Sequence, residues 1–180
     1  MFYIDKRRVT VERVANFYKV SKERFTKDIV DEFGMSLEEA NDIYDGLKLP
    51  KRATSGSAGY DFYTPVDFVL EPGETIKIPT GIRAKMNNGW VLMIFPRSGL
   101  GFKYRLQLNN TVGVIDSDYY GSDNEGHIFI KITNDSNEGK VISLKSGDGF
   151  AQGVFLPFGI TDDDQQDAVR NGGFGSTSNA

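Results

Sequence analysis

A chain of 180 residues with no cysteine and a single histidine, His127, can bury one good core but can hold neither a disulfide framework nor a thiolate or multi-histidine metal site. Its formal net charge of −4 opposes general affinity for nucleic acid, which needs a basic face. Hydrophobic content of 39%, charged content of 26%, no long apolar run and no signal-peptide core near Met1 predict a globular cytoplasmic protein without a membrane span. A polyanionic ligand would have to be met locally, by a few arginines, backbone N–H groups and a metal ion.

In chain order, residues 8–17 are ambiguous: Val9 and Val11 suggest a strand, whereas Val11, Val14, Ala15 and Tyr18 have helical spacing. From Ser21 to Phe33, Phe25, Ile29 and Phe33 stand four apart, which predicts an amphipathic helix capped by Ser21 and stopped at Gly34. Ser36-Leu-Glu-Glu39 is a capping box, opening a second helix with Ala40, Ile43, Tyr44 and Leu47 on one face. Two helices and a short turn invite a DNA-binding reading. Between Ser21 and Lys48, however, eight carboxylates (Glu23, Asp28, Asp31, Glu32, Glu38, Glu39, Asp42, Asp45) outnumber four cations (Lys22, Arg24, Lys27, Lys48), and phosphate would repel such a segment. Residues 1–46 are therefore expected to form an N-terminal extension for packing or partner contact.

From Leu47 the pattern changes to short β segments, predicted over 67–70, 75–78, 91–95, 127–132, 141–144 and 151–158. Pro72-Gly73, Asn87-Asn88-Gly89 and Gly147-Asp148-Gly149 supply turns. Short strands at regular spacing without intervening helices predict an all-β sandwich or barrel over 47–160. Residues 161–180 are polar and end rich in glycine, which predicts a flexible arm, and Asp162–Asp164 reads as a solvated run rather than a metal cluster.

The most informative stretch is Asn110-Thr-Val-Gly-Val-Ile-Asp116-Ser-Asp118-Tyr119-Tyr120-Gly121. It reads as a hairpin of two extended arms around Gly113, with the carboxylate of Asp116 set after an apolar pair. Such a hairpin can offer main-chain N–H and C=O groups to a flat hydrogen-bonding ligand such as a nucleobase. Four other segments accompany it: Ala58-Gly59-Tyr60-Asp61-Phe62, Pro96-Arg97-Ser98-Gly99-Leu100, Gly147-Asp148-Gly149-Phe150-Ala151-Gln152 and Arg170-Asn171-Gly172-Gly173-Phe174-Gly175-Ser176-Thr177. In this order the five segments resemble the motifs of the trimeric dUTPase family, the deoxyuridine triphosphate pyrophosphatases. Asn124-Glu-Gly-His-Ile-Phe129 and Gln152-Gly-Val-Phe-Leu-Pro-Phe158 further resemble the branch found in Gram-positive bacteria and their phages.

The resemblance implies a jelly-roll-like barrel assembled as a homotrimer, cleaving dUTP to dUMP and pyrophosphate with Mg2+. It makes Asp116 the general base that activates a water for attack on the α-phosphorus. It makes Asn110 and the backbone around Gly113 the readers of uracil, and Tyr119 the ring under deoxyribose. Arg97, Ser98 and Gly99 form the phosphate side, where a guanidinium fork and N–H groups suit phosphate oxygens. Gln152 is implied to contact phosphate or a hydrating water of Mg2+, and Asp61 to act in the metal's outer shell. Arg170 and Phe174 belong to a lid, the arginine for terminal phosphates and the ring for stacking. Four departures from the usual motifs stand out: Tyr120 for a basic residue, Gly149 for Arg or Lys, Ser178 for glycine, and Arg170 one residue closer to Phe174. Two rival readings remain open, a dCTP deaminase of the same fold and a regulatory binding protein acting through the acidic N-terminal helices. A bacterial host or a phage could encode the chain.

Overall fold

The computed structural model describes residues 11–166. Within them the fold is mostly β with few helices. The first elements are β1 (Ala15–Lys19), α1 (Lys22–Phe33), α2 (Leu37–Gly46), β2 (Lys51–Arg52), β3 (Tyr60–Tyr63), β4 (Phe68–Leu70), β5 (Thr75–Pro79) and β6 (Ile82–Met86). There follow β7 (Trp90–Pro96), α3 (Ser98–Tyr104), β8 (Leu106–Leu108), β9 (Gly113–Ile115), a 3-10 turn over Ser117–Gly121, β10 (Phe129–Asn134), β11 (Ile142–Leu144) and β12 (Gly149–Pro157). A five-stranded sheet runs in the order β2-β3-β12-β7-β9 and a three-stranded one in the order β5-β10-β8, joined by the pairs β11-β4 and β1-β6.

Alternation along the strands turns one face of each inward, so Phe62, Ile78, Leu92, Ile94, Ile132, Ile142 and Phe150 meet in one core. Each is at most 1% exposed. Full burial of a side chain of this size contributes about 1.5–3 kcal/mol.

Both predicted helices form, because their signals are local. Ser21 Oγ accepts from the Arg24 N–H at 3.1 Å. Ser36 and Glu39 close both arms of the capping box, at 3.2 and 2.9 Å. Gly34 ends α1 in the left-handed region. Phe25, Ile29 and Ala40 are fully buried in a second apolar cluster with Val20, Leu47 and Val66.

The ambiguous segment resolves as a strand: β1 pairs antiparallel with β6, from Ala15 opposite Met86 to Lys19 opposite Ile82. Phe17 packs edge-on against Tyr60 and Phe62. The helix pair therefore follows a strand that already packs on the main core through Ala15 and Phe17. Sequence spacing missed this because β1 is ordered by a partner far along the chain.

A polar clamp fixes α1 to the β-sheet core. His127 is fully buried; its Nε2 accepts the Gly81 N–H at 2.8 Å, so Nδ1 carries the proton and donates to Asp28 of α1 at 2.6 Å. Burial lowers the His127 pKa below 6.5, against the opposing pull of Asp28. Nearby, the Glu125 carboxylate accepts from both the N–H and the hydroxyl of Ser21. Burial raises the pKa values of Asp28 and Glu125, but hydrogen bonds from His127 and Ser21, with the charges of Arg24 and Arg83, bring both net below 3.8 and 4.5.

These shifts set an acid limit. Below about pH 6.5 the unfolded chain binds a proton at His127 that the folded chain refuses, so stability falls as the pH falls. The contributions of Asp28 and Glu125 are complete above 4.5 and disappear as the pH drops through their lowered folded values. We expect the melting temperature to decline from pH 7.5 to 5.0, and His127→Gln to flatten that slope. An unchanged slope in the variant would assign it to another group.

Candidate functional site

The segment from Asn110 to Gly121 takes a different form from the hairpin expected around Gly113. Its turn lies at 109–112, where the Thr111 N–H bonds to Leu108 C=O at 2.9 Å and Val112 N–H to Asn110 C=O at 2.6 Å. The strands on either side of this turn, β8 and β9, do not pair with each other. Strand β8 joins β10, whereas β9 joins β7, so the segment bridges two sheets and leaves a cleft between them.

That cleft is a pocket of about 520 Å³, with Ile94, Leu108, Gly113, Ile115 and Ile130 among its apolar lining and Asn109, Asn110, Asn124 and Lys131 supplying polar groups. It has the size and character of a small-ligand site, mostly apolar with few polar groups to fix orientation. Asn110 is exposed at its edge and Gly113 is buried in its wall. A Cβ at Gly113 would stand 3.0 Å from Cβ of Ile94, its partner across β7. Only glycine keeps this wall flat.

Asp116 follows β9 directly and is exposed beside the pocket. Its carbonyl accepts the Tyr119 N–H at 3.2 Å and starts the 3-10 turn. Tyr119 is 2% exposed, with its hydroxyl donating to the His127 carbonyl and accepting from Asn124 Nδ2, both at 2.8 Å. Its ring is thus held in a fixed place, with the hydroxyl bonded on two sides.

Arg97, Asp61 and Gln152 come together at the far end of β7. Arg97 pairs with Asp61 at 3.6 Å, Gln152 lies opposite Asp61 across β12 and β3, and Gln152 Nε2 donates to Pro96 C=O at 3.3 Å. The Pro-Arg-Ser-Gly segment has Arg97 as the residue that caps α3, with Ser98 and Gly99 exposed in its first turn. Both Arg97 and Ser98 face solvent, as a phosphate contact requires.

These two halves do not meet within one chain. Ile115 lies opposite Leu92, so Asp116 sits near the start of β7 while Arg97 follows its end. The intervening strand spans on the order of 15–20 Å at about 3.3 Å per residue. The lid residues Arg170 and Phe174 lie outside the described residues, as does Ser178.

Two of the departures find a structural reason. Tyr120 stacks on Arg83, whose guanidinium carbon is 3.6 Å from the ring centre, so it serves the β6 side and not the pocket. At Gly149 an added Cβ would stand 3.0 Å from the Arg97 guanidinium, so the missing side chain leaves room for Arg97. In the sequence Asn124 and His127 stand out only as branch signatures, and Asp28 only as one of eight acids between Ser21 and Lys48. Their contacts span up to 99 residues of chain and leave no local pattern.

Among the described residues no group of three or more His, Cys or acidic side chains could cage a metal, and no helix is long and apolar enough to cross a membrane. The donors at the phosphate end, one carboxylate already paired with an arginine and one amide, fit a cation that phosphate oxygens hold.

The family model for dUTPase matches residues 45–178. The deoxyuridine 5'-triphosphate nucleotidohydrolase of Lactococcus lactis is 47% identical over 135 residues, covering 73% of this chain and 89% of that relative. A crystal structure of dUTPase from Streptococcus mutans is 34% identical, with a TM-score of 0.60 over 82% of this chain and 98% of its own. A mutant dUTPase from phage phi11 of S. aureus, described as coordinating a structural Mg(II) ion, shares the fold at a TM-score of 0.60, over 87% of this chain and 98% of its own, with 20% identity. Five motifs in order, a small-ligand pocket beside an exposed aspartate and a match over most of the chain place this protein in the dUTPase family.

Proposed function

We infer that this enzyme hydrolyses dUTP to dUMP and pyrophosphate, and the observation that carries the reading is the pocket walled by Asn110 and Gly113 with Asp116 at the end of the same strand. The uracil edge lies against Asn110 and the backbone at Gly113. Cytosine presents a donor where uracil presents an acceptor, so it leaves buried groups unpaired and is refused. Tyr119 closes the site beneath the deoxyribose. Asp116 takes a proton from a water as that water's oxygen bonds to the α-phosphorus, and the bond to the bridging oxygen breaks with its electron pair leaving on pyrophosphate. Arg97, Ser98 and Gly99 hold the phosphates, with Gln152 and Asp61 ordering the water around them. Mg2+ carried by the phosphates would supply charge neutralisation at the triphosphate.

We further propose a homotrimer of jelly-roll barrels in which neighbouring chains complete each site. The separation of Asp116 from Arg97 supports this, because a triphosphate nucleotide cannot use both halves of one chain at that distance. Phe102 of α3, 93% exposed next to the phosphate end, and Leu156, Phe158 and Ile160 offer apolar surface for a neighbour. Arg170 and Phe174 are assigned to a lid over the nucleotide, and residues 161–180 to the arm that carries it.

A nucleotide panel with pyrophosphate release as the readout tests the function. We expect strong preference for dUTP over dCTP, dTTP and UTP. Comparable turnover of UTP would remove the sugar role of Tyr119, and ammonia release from dCTP would reassign the chemistry to deamination. Light scattering should give about three times the chain mass of 20.0 kDa.

A further inference from the structure

The turn over residues 122–127 has no part in the reaction described so far, yet its polar groups converge on Tyr119. Asn124 Nδ2 donates to the Tyr119 hydroxyl at 2.8 Å and to the His127 carbonyl at 3.3 Å, and that carbonyl accepts the Tyr119 O–H at 2.8 Å. Asn124 Oδ1 accepts the Gly126 N–H at 3.1 Å, so the amide is held at both ends. Gly126 has a φ of +68°, and a Cβ there would lie 2.7 Å from the Tyr119 carbonyl oxygen; the turn presses on the tyrosine's own backbone. Asn124 also lines the pocket that contains Asn110 and Gly113.

Helix α1 grips the outside of this turn. Arg24 donates to the Asp123 carbonyl at 3.1 Å, Ser21 donates twice to the Glu125 carboxylate, and Asp28 holds the His127 ring at 2.6 Å. Four residues of the turn are thus fixed either to the tyrosine or to the helix. A packing role alone would not need an amide of the pocket wall to serve the tyrosine hydroxyl.

We propose that Asn124 and His127 are positioning residues for Tyr119, and that α1, through Asp28, holds this bracket so that the ring stays close enough to the sugar to refuse a 2′-hydroxyl. The proposal rests on the reading that the deoxyribose lies against Tyr119. Refusing one oxygen requires a wall that cannot retreat, and a buried hydroxyl bonded on two sides gives the ring that stiffness. On this account the N-terminal helix pair is a part of substrate selection, acting from outside the pocket.

The experiment is the ratio of kcat/KM for dUTP to that for UTP in the full chain, with a thermal melt of each variant. Tyr119→Phe keeps the ring and removes the hydroxyl, and Asn124→Leu keeps the volume and removes the amide. Each is expected to lower the ratio about tenfold, roughly what one buried hydrogen bond commands, and the double variant no further. Asp28→Ala should lower the ratio as well, whereas Asp28→Asn, which can still accept from His127, should retain it. Ratios within twofold of the parent in Tyr119→Phe and Asn124→Leu, or equal losses for both nucleotides, would overturn the bracket. Tyr119→Ala separates the two ideas: if it lowers the ratio while the other variants do not, only the bracket fails, and if it leaves the ratio unchanged, the sugar reading fails with it. Should Asn124→Leu not fold, Tyr119→Phe decides alone.

Discussion

Replacing Asp116 with asparagine is expected to lower kcat for dUTP by about 10²–10⁴-fold, the range lost when a positioned general base is removed. The substitution keeps size and shape, and the backbone it sits on is held by its own strand and turn: β9 pairs with β7, and the Asp116 carbonyl accepts the Tyr119 N–H. Pocket and tyrosine should therefore remain in place. An amide cannot take the proton that the attacking water must lose, so the barrier rises by about 3–5 kcal/mol. Calorimetry with a non-hydrolysable dUTP analogue should give a dissociation constant within a few fold of the parent. Near-normal kcat in the variant would make Asp116 a structural residue of the turn.

Gly113→Ala is the second large effect. The new methyl would lie 3.0 Å from Cβ and 3.3 Å from Cγ1 of Ile94. Ile94 is 1% exposed in the main core and branched at Cβ, so it cannot rotate out of the way. Strand β9 must give instead, and it carries Asp116 at its end. We expect kcat/KM to fall by about 10²-fold, since displacements well under an ångström to about 1 Å cost that much when reacting groups are aligned. Overpacking should also reduce stability by about 1–3 kcal/mol. Kinetics beside a thermal melt separate the two losses. A folded variant with parental kcat/KM would show that the cleft at Gly113 is not where the base binds.

Much of the site was legible as residue types in order. Asn110, Gly113 and Asp116 fall on one short segment, and Arg97, Asp61 and Gln152 on three others, which is why the motif pattern was readable. What the spacing suggested about their local shape was less reliable. In place of the hairpin, the strands on either side of the 109–112 turn pair with β10 and β7, partners far along the chain that local spacing does not reveal. The Pro96–Leu100 turn proved to lead into a short helix. Strands β2, β3 and β8 have only two to four residues, too few for a period to show, whereas β6, Ile82-Arg-Ala-Lys-Met86, does alternate.

By itself the sequence determined the two capped helices, the mainly β character of the remainder, the family and the roster of candidate site residues. These follow from signals carried within about a dozen residues, such as Ser36 with Glu39, or from motif order that needs no geometry. Only the tertiary structure decided that β1 belongs with β6, that Asp116 and Arg97 stand at opposite ends of one strand, and that Asp28 reaches His127 across 99 positions. Each is a contact between segments far apart in the chain. Such contacts are chosen by burial and by hydrogen-bond completion in the folded state, where a fully buried imidazole must find partners on both nitrogens, and no local pattern of residues records which partners those will be.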